Sequence, residues 1–136
     1  MKKFFLILIF SFSSYSADIT ITQMQDMNFG TLVQGDPKTV LSPKGSEPNN
    51  ARFRVKGDAN TAYTITLPIE IHISLDGAGV RRIRVHSFKS RPKEGPNGLL
   101  NAKGKQVLKV GATLAKIGNN KRAGNYFGTF TVDVIY

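Results

Sequence analysis

The chain has no cysteine and no tryptophan, only two histidines, and half as many acidic residues as basic ones, 9 against 19. Without cysteine there is no thiol nucleophile, no thiolate metal site, no disulfide and no lipid-modified cysteine. The histidines, His72 and His86, sit in no His-x-His or His-Glu spacing. His72 falls on the strand face opposite Ile71 and Ile73, which reads as a surface position and not as a ligand. Ser74 and Ser87 lack a Gly-x-Ser-x-Gly elbow, Glu70 and Asp76 form no acid/base pair, and the glycines of Asp76-Gly-Ala-Gly-Val80 open no helix. These absences exclude the familiar catalytic arrangements, so no enzyme activity, metal or cofactor is expected.

Long apolar runs are also lacking. The longest, Phe4–Phe12, is far short of the about 20 residues that a spanning helix needs. It follows Lys2 and Lys3 and precedes Ser14-Tyr15-Ser16, the charge, length and small-residue pattern of a secretory signal peptide. Cleavage is expected between Ser16 and Ala17. The exported remainder, residues 17–136, suits one domain able to bury a core without cross-links. Its destination is expected to be the periplasm, the cell surface or the medium.

Helical periodicity is missing from residues 17–136, and period-two alternation takes its place. Asp18–Gln23 sets Ile19 and Ile21 on one face. Met27–Val33 reads as a strand in which Gly30 marks a bulge, and a short strand is expected at Thr39–Leu41. Ala51, Phe53 and Val55 point inward while Arg52, Arg54 and Lys56 point out. Tyr63, Ile65 and Leu67 share a face before Pro68, and Ile69, Ile71, Ile73 and Leu75 continue the alternation. Val80–Phe88 is a return strand with Ile83 and Val85 inward. Arg91–Gly104, with two prolines and three glycines, reads as loop. Gln106–Leu114 alternates again. The clearest pattern is the last: Tyr126, Phe130, Val132, Val134 and Tyr136 recur every second residue, interrupted at Gly128. Seven or eight short strands without strand–helix alternation predict an all-β, immunoglobulin-like antiparallel sandwich.

A formal net charge of +10 favours acidic partners without selecting among them. Arg81, Arg82, Arg84, Lys89, Arg91 and Lys93 crowd into thirteen residues. Two explanations stand side by side. One is a solvated edge strand whose positive charge deters stray pairing. The other is a strip for polyanions such as anionic glycans, to which Arg52 and Arg54 add. No motif or aromatic platform for nucleic acid accompanies it.

Three stretches occur in order across the chain: Met27-Asn-Phe-Gly-Thr-Leu-Val33; Phe53-Arg-Val-Lys-Gly-Asp-Ala-Asn60 with Tyr63-Thr-Ile-Thr-Leu-Pro68; and Ala123-Gly-Asn-Tyr-Phe-Gly-Thr-Phe-Thr-Val-Asp-Val-Ile-Tyr136. Together they resemble a family of exported bacterial β-sandwich proteins known as a domain of unknown function, related to spore coat protein U and to chaperone–usher fimbrial subunits. The resemblance implies a structural or adhesive subunit that self-associates or joins related subunits by strand complementation, served by a periplasmic chaperone and an outer-membrane usher. It also implies an assembly strand carrying Gly124, Tyr126, Phe130, Val132, Val134 and Tyr136. Ile19 and Ile21 are the available donor residues, although only Ala17–Gln25 precede the Met27–Val33 stretch and the two could as readily belong to a first strand inside this domain. The terminal tyrosine is the last residue here, where such subunits usually place it next to last. A self-contained module that binds acidic polysaccharide is the alternative.

Overall fold

Pro68, Pro92 and Val132 mark three places where the chain leaves one sheet for another, and the architecture follows from those corners. The computed structural model describes residues 18–136 and the backbone of residues 6–9. Strands run in the order β1 (Leu6–Ile9), β2 (Thr20–Gln25), β3 (Thr39–Val40), β4 (Ala51–Lys56), β5 (Ala62–Thr66), β6 (Glu70–Leu75), β7 (Ile83–Arg91), β8 (Gly95–Leu99), β9 (Lys105–Leu114), β10 (Tyr126–Thr131) and β11 (Asp133–Ile135). No helix occurs among the described residues. The larger sheet is ordered β1-β10-β6-β7-β9-β4-β2, with β3 also on β9, and the smaller is β11-β5-β8. All pairings are antiparallel except β1 on β10. The result is an all-β sandwich.

Three consecutive pairs of strands serve both sheets. β5 continues into β6, β7 into β8 and β10 into β11, each pair split between the smaller and the larger sheet. Sheets packed at a steep angle share strands at a corner in this way. At the first corner Pro68 has no N–H for the ladder, and the Leu67 N–H instead donates to Glu94 Oε2 at 3.0 Å. Ile69 is consequently flung outward, 90% exposed, while Ile73 stays buried. The expected unbroken alternation from Ile69 is therefore corrected: the inward face resumes only beyond the bend.

Inside, alternation did set the faces. Ala51, Phe53 and Val55 of β4 pack with Leu108 and Val110 of β9, Ile83 and Val85 of β7, and Ile19 and Ile21 beside β4. Phe130 meets Phe53 edge-on, with centroids 6.2 Å apart, and Phe88 at 5.3 Å. Each fully buried ring of this kind contributes about 1.5–3 kcal/mol relative to exposure.

Two expected assignments change. Residues 27–33 form no strand: Met27 and Phe29 are buried as plugs, but Gly30 has φ +84°. Its N–H bonds to the Asn28 side-chain oxygen at 2.7 Å, which is a local turn and not a bulge. Conversely, the stretch expected as loop at 91–104 contains β8. Pro96 is tolerated because β8 is the outermost strand of its sheet. Gly98 is required because the Tyr63 ring lies where a Cβ would project.

Tyr63 ties the sheets together. Its hydroxyl, on β5, donates to Gln106 Oε1 on β9 at 2.6 Å, and burial pushes the phenol above its ordinary value of 10.0. A raised folded-state value means that this residue's contribution is whole below about pH 10 and falls as pH rises beyond it, since the unfolded chain ionises first. We expect thermal stability to drop above pH 10, and Tyr63→Phe to flatten that alkaline drop. The same variant loses about 1 kcal/mol near neutrality with its hydrogen bond. Melting curves across pH check both; an unchanged alkaline slope contradicts the assignment.

Candidate functional site

The terminal segment is next to outermost in the larger sheet and outermost in the smaller. β10 pairs with β6 on one side, Tyr126 opposite Leu75 and Phe127 opposite Ser74. On its other side it pairs with β1 in parallel register, from Leu6 opposite Gly128 to Ile9 opposite Thr131. β11 is the outermost strand of the smaller sheet, held by β5 through Val134 opposite Ile65. Between them Val132 carries the chain around the corner, fully buried. Without β1, β10 becomes the outer strand of the larger sheet, and residues 128–131 lose the ladder on that side. A sheet margin of this kind is a template for another backbone.

The inward face of this segment is set as its alternation predicts for four residues. Tyr126, Phe130, Val132 and Val134 are at most 3% exposed, and the Tyr126 hydroxyl donates to the Arg122 carbonyl at 2.6 Å. Gly124 precedes the strand, and a Cβ there would run into the Leu75 side chain. At Gly128 an added Cβ would sit 2.9 Å from the His72 carbonyl oxygen, so β10 runs tight against β6. Tyr136 departs from the pattern. It is 40% exposed, and its hydroxyl accepts from the Asp58 N–H at 2.7 Å. Its role is to pin the end of β11 to the turn after β4, not to line the core.

Ile19 and Ile21 are not a free donor segment. Ile21 lies opposite Val55, and both isoleucines are at most 1% exposed. Their apolar side chains fill this domain's own core through β2, which corrects the expectation. Ser16 and Ala17, the expected cleavage pair, lie outside the described residues.

The six clustered cations do not share one place. All are exposed, but Arg81 and Arg82 sit on the β6–β7 connection, and Arg84 is paired with Glu70 at 2.7 Å. Lys89, Arg91 and Lys93 lie beyond an irregularity in β7 where Ser87 has φ +55°. β7 is interior to its sheet, flanked by β6 and β9. Edge protection is therefore not what its charges do. The sequence reading passed over Lys105 and Lys109 on β9, though their alternation with Leu108 and Val110 marks them as outward. Lys109 stands opposite Arg52 on one flank and Arg91 on the other, and Lys105 stands opposite Lys56. Like charges directly opposite one another oppose sheet stability.

Buried Asn50 shapes the border of this basic face. Its amide donates to the Ser42 and Lys44 carbonyls at 3.0 and 2.9 Å, and its oxygen accepts from Arg52 Nε at 3.1 Å. The loop so gathered crosses Gly111, where a Cβ would collide with the Leu41 carbonyl oxygen. His72 is exposed and His86 half-buried. Among the described residues no group of three His, Asp or Glu side chains is placed to hold a metal ion. No helix long and apolar enough to cross a membrane occurs among them.

The fold is that of an all-β sandwich. The chain belongs to the family described as Domain of unknown function (DUF4402), which matches residues 19–136. Comparison with curated proteins and with solved structures gave no match.

If Phe130 is an anchor of the terminal segment and Tyr136 a peripheral pin, their substitutions separate by size. Phe130→Ala should cost about 3–5 kcal/mol, and Tyr136→Phe no more than about 1 kcal/mol. Urea midpoints measure both, and equal losses would contradict this division.

Proposed function

We propose that the protein is a non-enzymatic structural subunit, of fimbrial or surface-coat type, that assembles by adding another chain's strand to the margin of β10. The observation that carries this reading is the parallel seating of β1 on β10 at residues 128–131. β1 comes from the stretch expected to be removed at export. Its loss leaves that margin ready for a replacement strand, whose main-chain hydrogen bonds supply affinity while alternate side chains give specificity. The family relationship to spore coat protein U and to chaperone–usher subunits suggested by the sequence agrees with such a use, with a periplasmic chaperone holding the margin before assembly.

The chain accepts a strand but has none to give within residues 18–25, because Ile19 and Ile21 are buried in this domain's own core, Ile21 within β2 and Ile19 just ahead of it. If Ala17 is the first residue after export, this subunit ends a series or pairs with a different donor. It does not propagate a uniform polymer.

The test is a chain lacking residues 1–16, produced alone and with an added peptide of residues 4–12. Alone it should accumulate poorly or self-associate, and the peptide should raise its melting temperature. Deleting residues 126–136 should abolish folded protein altogether. A stable monomer that is indifferent to the peptide would sink the proposal.

A further inference from the structure

The outward face of β4, β9 and β7 carries a cationic track that strand complementation does not use. Its middle is Lys109, opposite Arg91 on β7. At one end Pro43, Lys89, Arg91, Lys93 and Glu94 line a cleft of about 450 Å³. Glu94 is already engaged by the Leu67 N–H. At the other end Arg54, Lys105 and Val107, with Asn101 and Gln106, line a second cleft of about 300 Å³. Lys105 and Lys109 are four residues apart on the same face of β9, about 13 Å at strand rise. The two clefts are thus stations on one path.

The path carries one acid, Glu94, against Arg54, Lys89, Arg91, Lys93, Lys105 and Lys109, and so stays strongly cationic. The ion pair of Arg84 with Glu70 lies elsewhere. The two side-chain amides in the second cleft have their oxygens in use: Asn101 Oδ1 accepts from the Lys103 and Lys105 N–H groups, and Gln106 Oε1 from Tyr63 and Leu99. The Asn101 NH2 group remains as a donor for hydroxyl or carboxylate oxygens, whereas Gln106 points inward to Tyr63 and serves the join between the sheets.

We infer that this track binds an acidic polysaccharide, a linear chain bearing a carboxylate or sulfate on successive sugars. Charge complementarity supplies the attraction. The sheet fixes the spacing, with cations about 4.8 Å apart across neighbouring strands and about 7 Å apart along one face. An extended sugar chain with regular acidic groups meets such a lattice repeatedly, and its hydroxyls suit the free Asn101 amide. Single-stranded nucleic acid calls for aromatic faces on which bases stack. The one aromatic residue bordering the clefts, Phe88, is buried with its ring against Phe130. The track is separate from the β10 margin, so this inference stands or falls independently of the assembly proposal.

Binding of the purified chain to fluorescently labelled polygalacturonate, read by anisotropy at low and moderate salt, tests it. Affinity should fall about tenfold or more over that range as screening sets in. The double variant Arg91→Glu with Lys109→Glu should bind about tenfold more weakly, a loss of about 1.4 kcal/mol. Arg81→Glu with Arg82→Glu, an identical charge change on the β6–β7 connection, should stay within about twofold. Should the first variant fail to fold, Lys89→Gln with Lys93→Gln takes its place and should also weaken binding. Equal losses in the track and control variants, salt-indifferent binding or no binding would each overturn the inference. Tighter binding to duplex DNA at the same salt would overturn it too, in favour of a nucleic-acid face.

Discussion

The structure hangs on one bent ribbon: residues 126–135 running antiparallel to residues 64–75 around a shared corner. Tyr126 and Phe130 anchor the ribbon in the larger sheet, Val134 anchors it in the smaller, and Val132 is buried between them. Without that ribbon the smaller sheet is reduced to β5 and β8, and an isolated pair of strands is marginal in water. The chain has no cysteine, so no cross-link substitutes for this burial. The same ribbon that closes the core also carries β1 along residues 128–131. In the proposed assembly the same residues serve twice, facing opposite ways: side chains inward to the core, main chain sideways to the added strand.

Much of this was legible in the residues. Period-two alternation sorted inward from outward correctly along β4, along β9 up to Val110 and along residues 130–134, where one face only is buried. From Val110 to Leu114 β9 is buried on both faces. Alternation failed where the chain changes sheets. Ile69 looks like the first residue of an alternating strand, but Pro68 breaks the ladder one position earlier and turns it to solvent. Tyr136 continues a perfect pattern yet lies past the end of β11, where a hydrogen bond to the turn after β4 decides its place. Alternation is a local signal, and a corner is set by tertiary packing.

The remaining misreadings have similar causes. β8 was hidden by Pro96 and two glycines, which mean loop in isolation but are admissible on an outer strand. The Met27–Val33 stretch has strand-like composition, and a side-chain-to-backbone turn at Asn28–Gly30 overrides it. Strand order is the least visible quantity. Nothing in Ile83–Arg91 says that β7 is interior, and nothing in Lys105 or Lys109 alone says that each lies opposite another cation. Those facts required register. Register moved the weight of the basic surface from the run at Arg81–Lys93 to a face built from three strands.

The central claim is that the outer margin of β10 is a vacant acceptor once β1 is gone. Amide hydrogen exchange at Gly128–Thr131, in the chain lacking residues 1–16 and with or without the peptide of residues 4–12, tests it most directly. Fast exchange that slows by orders of magnitude when the peptide is added is the expected result. Amides that are already protected in its absence would contradict the account.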